Sequence, residues 1–179
     1  MTYRCRLATE ADIPALMVLM ALAIDRLQHG FLTPEQIAAS RALMGLDSQL
    51  IRDGTYFVAE RDGQAAGCGG WSWRATLYGA DHTEGRDAAP LDPARAAARV
   101  RAMYTHPDHV RRGVGRLILA CCEQAASVAG FRRIEMMATL AGVPLYRACG
   151  YVELEPTAVT PPGGVPVPLV RMGKVLEPV

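Results

Sequence analysis

With 179 residues, half of them hydrophobic, the chain has material for one sizeable core and too little for two, so a single domain over residues 1–179 is expected. Nineteen basic and eighteen acidic residues leave a formal charge of +1, which gives no global electrostatic reason to bind nucleic acid or an acidic membrane. Cys5, Cys68, Cys121, Cys122 and Cys149 lack metal-ligand spacing and read as buried free thiols of a reducing, cytoplasmic setting, with no metal expected. Glu10 and Asp12 precede any apolar run, so no signal-peptide core is expected, and the longest run, Ile13 to Ile24, holds Pro14 and is too short for a membrane span.

In chain order, Tyr3 to Leu7 reads as a strand and Asp12 to Leu27 as a helix apolar nearly all round, hence expected to be covered on more than one side. Thr33, with Gln36 in the capping-box position, starts a second helix that should end near Gly45. Thr55–Glu60 and Ala65–Trp73 form a hairpin about Asp62-Gly63. Gly67, Gly69 and Gly70 suggest a bulge or a close backbone approach in its second strand, and a period of two puts Trp71 and Trp73 on one face.

Residues 75–94 form a long polar loop, functional or disordered, in which His82 reads as solvated. Ala96 to Thr105 should be a strand with Val100, Ala102 and Tyr104 on one face and Arg99, Arg101 and Met103 on the other. Val114, Leu117, Ile118, Cys121, Ala125 and Val128 then recur at helical spacing up to a stop at Gly130. Arg133–Ala138 is a further strand, Gly142–Cys149 a short helix and Tyr151–Leu154 a strand. A Pro/Gly loop from Pro156 to Gly164 leads to a last strand, Val165–Val175. A C-terminal strand at a sheet edge would favour a homodimer.

The junction of strand and helix, Val110-Arg111-Arg112-Gly113-Val114-Gly115-Arg116, has the makings of an anion site. Backbone N–H groups at a helix start lack intrahelical partners, the helix dipole favours negative charge, and three arginines add donors. Alone, the pattern is equally a tight turn. The Walker and dinucleotide fingerprints both fail, for want of a Gly-Lys-Ser/Thr and of a third glycine.

About thirty residues on lies Leu145-Tyr146-Arg147-Ala148-Cys149-Gly150-Tyr151. Together the two segments resemble the central Gln/Arg-x-x-Gly-x-Gly/Ala motif and the Leu/Phe-Tyr-x-x-x-Gly-Phe/Tyr motif of the GNAT superfamily of N-acetyltransferases. The first motif position is Val110 here, and Thr139 stands where an Asn is usual.

The resemblance implies an α/β fold, with a mixed, mostly antiparallel sheet of six to seven strands, helices on both faces and a V-shaped splay between the central strands. It implies acetyl-CoA as acyl donor, its pyrophosphate cradled by the amides of Arg111, Arg112, Gly113, Gly115 and Arg116. Met103, Tyr104 and Thr105 would meet the pantetheine through their backbone, Thr139 through its hydroxyl. Tyr146 would be the general acid toward the CoA sulfur. The implied activity is acetyl transfer to a primary amine of a small molecule or peptide; the alternative is a non-catalytic acyl-CoA-binding domain. Glu60 and His106 are possible bases or structural residues, Trp71 and Trp73 cleft walls or core, and Arg99 and Arg101 contacts to an anionic acceptor or salt-bridged side chains.

Overall fold

The computed structural model describes residues 2–177. Seven strands form one sheet: β1 (Arg4–Leu7), β2 (Tyr56–Arg61), β3 (Gln64–Ser72), β4 (Ala98–Thr105), β5 (Arg133–Thr139), β6 (Val152–Val159) and β7 (Val167–Val175). They lie in the order β1-β2-β3-β4-β5-β7-β6, antiparallel throughout except for the parallel pair β4–β5. Among the described residues no helix is long and apolar enough to cross a membrane.

Helices cover both faces. On one, α4 (Val114–Val128) and α5 (Val143–Ala148) close a core with Trp71, Val100, Ile134, Met136 and Met172. On the other, α1 (Ile13–Leu27), α2 (Pro34–Ser40) and α3 (Ser48–Arg52) accompany a second core in which Leu16, Leu19 and Met20 meet Tyr56, Val58 and Tyr104. The interior face of α4 carries Val114, Ile118, Leu119 and Cys122, all buried. At about 1.5–3 kcal/mol for each large aliphatic, this packing holds a helix that has neither a side-chain N-cap bond nor an acid in its first turn. Its positive end therefore stays available to an outside anion.

Several expectations from the sequence change. Helix α1 buries one face only, and Met17 and Val18 on the other are more than half exposed. The helix expected to reach Gly45 stops at Ser40, and α3, capped by Asp47 on the Gln49 amide, was not foreseen. Strand β6 runs through Pro156 instead of stopping before it; as an edge strand it can carry a residue that lacks an N–H. The C-terminal strand β7 is not an edge, because β6 folds back outside it.

The expected alternation along β4 is broken. Between Cys68 and Gly70 of β3 the partner on β4 moves from Tyr104 to Arg101, so β4 carries one extra residue. Ala102 sits at φ 50°, and its carbonyl accepts the buried Tyr56 hydroxyl at 2.7 Å. This bulge turns Tyr104 to the α1 core while Val100 stays in the α4 core, so the two lie on opposite faces. On β3 a bulge does occur opposite β2 at Ala65–Gly67, while its glycines also provide close approach. A Cβ on Gly67 would lie 2.5 Å from Val114 Cγ1.

Candidate active site

Strands β4 and β5 pair only at Ala98–Ile134 and Arg99–Glu135. Beyond Arg99 they diverge, leaving the β5-facing side of β4 from Val100 onward without a ladder partner among the described residues. The opening, about 100 Å³, is lined by Val100 to Tyr104 of β4, Met136, Met137 and Thr139 of β5, and Tyr146 of α5. Leu43 to Gly45, after α2, Leu77 to Gly79 of the long loop and Leu169 of β7 complete it.

At the C-terminal end of β4 the chain passes through a short turn, Pro107–His109, into the arginine-glycine segment. Arg111 (φ 60°) and Gly113 (φ 86°) are both left-handed, two residues apart, a backbone form that gathers N–H groups into a concavity. None of the N–H groups from Val110 to Arg116 has an acceptor within the described residues. Arg111, Arg112, Gly113 and Arg116 are exposed, and Arg116 also reaches the Ala148 carbonyl of α5 at 3.4 Å.

The two glycines serve different ends. A Cβ on Gly113 would meet nothing within 4 Å, so glycine is needed there for its backbone angle. At Gly115 a Cβ would come 2.6 Å from Leu145 Cδ2, so this glycine admits α5 against α4. It thereby couples the start of α4 to the helix that carries Tyr146.

Tyr146 is 8% exposed and lines the opening. Burial pushes its hydroxyl above the usual phenol range, and no hydrogen bond among the described residues engages it. It is thus a protonated donor facing the gap. Its ring lies against Gly142, where a Cβ would be 2.7 Å from Cε2. Thr139 Oγ1 accepts from Gly142 N at 3.3 Å and so holds the turn that leads into α5. Met103 lines the opening and packs its side chain into the space left by Gly69. Tyr104 accepts from Gly45 N at 2.8 Å, tying β4 to the wall after α2. Thr105, paired to Gly67, lies at the strand's end outside the lining.

Of the other sequence candidates, Arg101 lines the gap and the rest fall outside it. Trp71 packs edge-on against Phe131 in the α4 core, and Trp73 lies under the Arg74 guanidinium at 4.0 Å. Glu60 accepts from Arg6 at 2.9 Å, and His106 Nδ1 accepts from Asp108 N at 3.2 Å; neither lines the opening. Arg99 meets Glu135 at 3.3 Å. Arg101, 4% exposed, bonds Asp47 at 2.8 Å and the carbonyls of Thr76 (3.0 Å) and Gly79 (2.6 Å). It is thus the pin that holds the long loop over the sheet.

That loop is ordered. Arg74 pairs with Asp53, Arg86 with Asp47, and His82 Nε2 lies 3.0 Å from the Arg41 carbonyl. A second cavity of about 290 Å³ beneath it is lined by Arg74, Arg86 and Arg101, each bonded to a carboxylate. Leu77 to Gly79 and Leu43 to Gly45 were not picked out as cleft lining from the sequence. The length of the loop was the only signal, because the residues that fold it down lie tens of positions away.

Residues 52–153, more than half of the chain, match the family model described as acetyltransferase (GNAT) domain. The chain belongs to the GNAT acetyltransferases. No curated protein matches the chain in sequence. Among solved structures, it resembles a GCN5-related N-acetyltransferase from Rhodopseudomonas palustris at TM-score 0.72 and 18% identity, over 98% of this chain and 97% of that one. It also resembles the ribosomal-protein-alanine N-acetyltransferase of Brucella melitensis (TM-score 0.64, 23% identity, 97% and 99% covered). A third likeness is to the putative acetyltransferase YncA of Salmonella typhimurium with its cofactor acetyl-CoA (TM-score 0.63, 19% identity, 100% and 96% covered). At such identities the likenesses speak for the GNAT fold, and the family match for the N-acetyltransferase class.

Proposed function

We propose that the protein transfers the acetyl group of acetyl-CoA to a primary amine of a small molecule or peptide. The observation that carries this reading is the row of amides from Val110 to Arg116 that have no acceptor, at the mouth of an open β4–β5 gap. Acetyl-CoA is a fitting occupant. Its pyrophosphate suits the concavity formed by Arg111 to Arg116, and its extended arm suits a strand side that lacks a partner. The acetyl-CoA held by the Salmonella relative supports the same assignment.

When bound, acetyl-CoA supplies an activated acyl group as a thioester. The amides of Arg111, Arg112, Gly113, Gly115 and Arg116 hold the diphosphate, aided by the α4 dipole and the arginine side chains. The backbone of Met103 and Tyr104 offers donors and acceptors where β5 has moved away. Tyr146 keeps its proton at neutral pH and can release it to a developing thiolate.

Calorimetric titration with acetyl-CoA tests the donor, and thiol release with mass spectrometry of an amine panel tests the transfer. Saturable binding with acetylated product is expected. Absence of acetyl-CoA binding would overturn the reading.

A further inference from the structure

The gap constrains the acceptor as well as the donor. Its walls include Leu43, Met44, Leu77, Tyr78, Met137 and Leu169, and Arg101 is the one charged side chain among its lining residues. Three carboxylates on the elements around it, Asp47, Asp81 and Glu135, are already bonded. Asp47 at the head of α3 holds Arg101 at 2.8 Å and Arg86 at 2.9 Å; Glu135 on β5 holds Arg171 at 2.6 Å and Arg99 at 3.3 Å. Asp81 on the loop accepts from the Ser48 amide at 3.1 Å and lies 3.7 Å from Arg86. The other titratable groups facing the gap are the hydroxyls of Tyr78, Tyr104 and Tyr146. An alkylammonium entering here would lose hydration and meet guanidinium charge instead of a free counter-ion.

Resting on the acetyl-transfer reading, we propose that the acceptor is a weakly basic primary amine on an apolar body, comparable in basicity to a peptide α-amine, which enters the gap uncharged. The proton count then closes without a carboxylate base. The nitrogen lone pair forms the C–N bond, the C–S bond breaks, the nitrogen loses one proton and the sulfur gains one. Tyr146 gives its proton to the sulfur and is restored by the one leaving the nitrogen. An alkylammonium must shed a further proton first. At pH 7.5 an amine of pKa about 10.4 is roughly 0.1% neutral and one of pKa about 7.8 roughly a third, a handicap of about 300-fold.

The test compares phenylalaninamide with 2-phenylethylamine, which share an aromatic body and differ in basicity. At pH 7.5 phenylalaninamide should be preferred in kcat/KM by at least about 30-fold, and the value for 2-phenylethylamine should rise about tenfold per pH unit from 7 to 9. With the CoA-saturated protein, calorimetry should find 2-phenylethylamine binding more tightly at pH 9 than at pH 7, while phenylalaninamide changes little. Tyr78→Glu, which sets a carboxylate on the rim, should narrow the preference. Equal rates at pH 7.5, a preference for 2-phenylethylamine, or acetyl-CoA binding with transfer to neither amine would overturn the inference and leave the donor assignment standing. Failure to bind acetyl-CoA would remove both.

Discussion

Arg101→Met removes the pin of the long loop while keeping most of the side-chain volume. Arg101 is 4% exposed and Asp47 2%, so the pair is shielded from solvent. Breaking a buried pair by removing one partner costs about 3–5 kcal/mol, because the remaining charge is left without compensation. Asp47 keeps Arg86 at 2.9 Å, which places the loss near the lower limit. The carbonyls of Thr76 and Gly79 also lose their donor, at about 1 kcal/mol each. A total of about 5 kcal/mol is expected, at the lower edge of the 5–15 kcal/mol that domains typically possess, so the variant should fold with a much reduced margin. For a chain of this size that corresponds to a fall in Tm of about 10–20 °C. Urea denaturation at equilibrium measures it, and a double-mutant cycle with Asp47→Asn isolates the pair. Limited proteolysis should cut within residues 75–94 faster than in the native protein. A loss under about 1 kcal/mol, with an unchanged cleavage pattern, would refute the assignment of Arg101 as the anchor of this wall.

Tyr146→Phe should lower kcat at least tenfold while acetyl-CoA affinity, read by calorimetry, stays within about twofold; an undiminished kcat would reassign the hydroxyl to structure. Gly113→Ala forces a Cβ into the left-handed region at φ 86°, at about 1–2 kcal/mol, and should weaken acetyl-CoA binding about tenfold by disturbing the amide row. Gly115→Ala acts through Leu145, so its first sign should be altered near-ultraviolet dichroism from displaced Tyr146. Hydrogen bonds from Arg6 hold the Asp12 carboxyl well below the ordinary carboxylate range, and those from Arg74 lower Asp53 likewise. The unfolded chain binds these protons more readily, so their stabilisation is fully present above about pH 4–5 and is lost as pH falls below that range. Urea midpoints at pH 6 and pH 3 should differ less for Asp12→Asn than for the unaltered protein.

Periodicity and turn chemistry made most of the framework legible, since they are local. The Asp62-Gly63 hairpin, the apolar stripe of α4 and the capping box at Thr33 each need only neighbours within a few residues. The arginine-glycine segment and the tyrosine motif were equally visible, because the start of α4 and the body of α5 are short continuous stretches. Their meeting, with Leu145 filling the space above Gly115, required the fold.

What the sequence by itself determined is the order of the strands and main helices, the family, and the segment where backbone amides gather. Only the tertiary structure decided which face each β4 residue serves, because the extra residue at Ala102 is defined by its mismatch with β3. It also decided that β7 lies inside β6, that Trp71 is core, and that Arg101 turns inward to Asp47, 54 positions earlier. A buried charge finds its partner through the packed fold, and no spacing along the chain records that pairing. The character of the β4–β5 gap, where leucine and methionine side chains stand beside arginines already engaged, is a consequence of such long-range pairings.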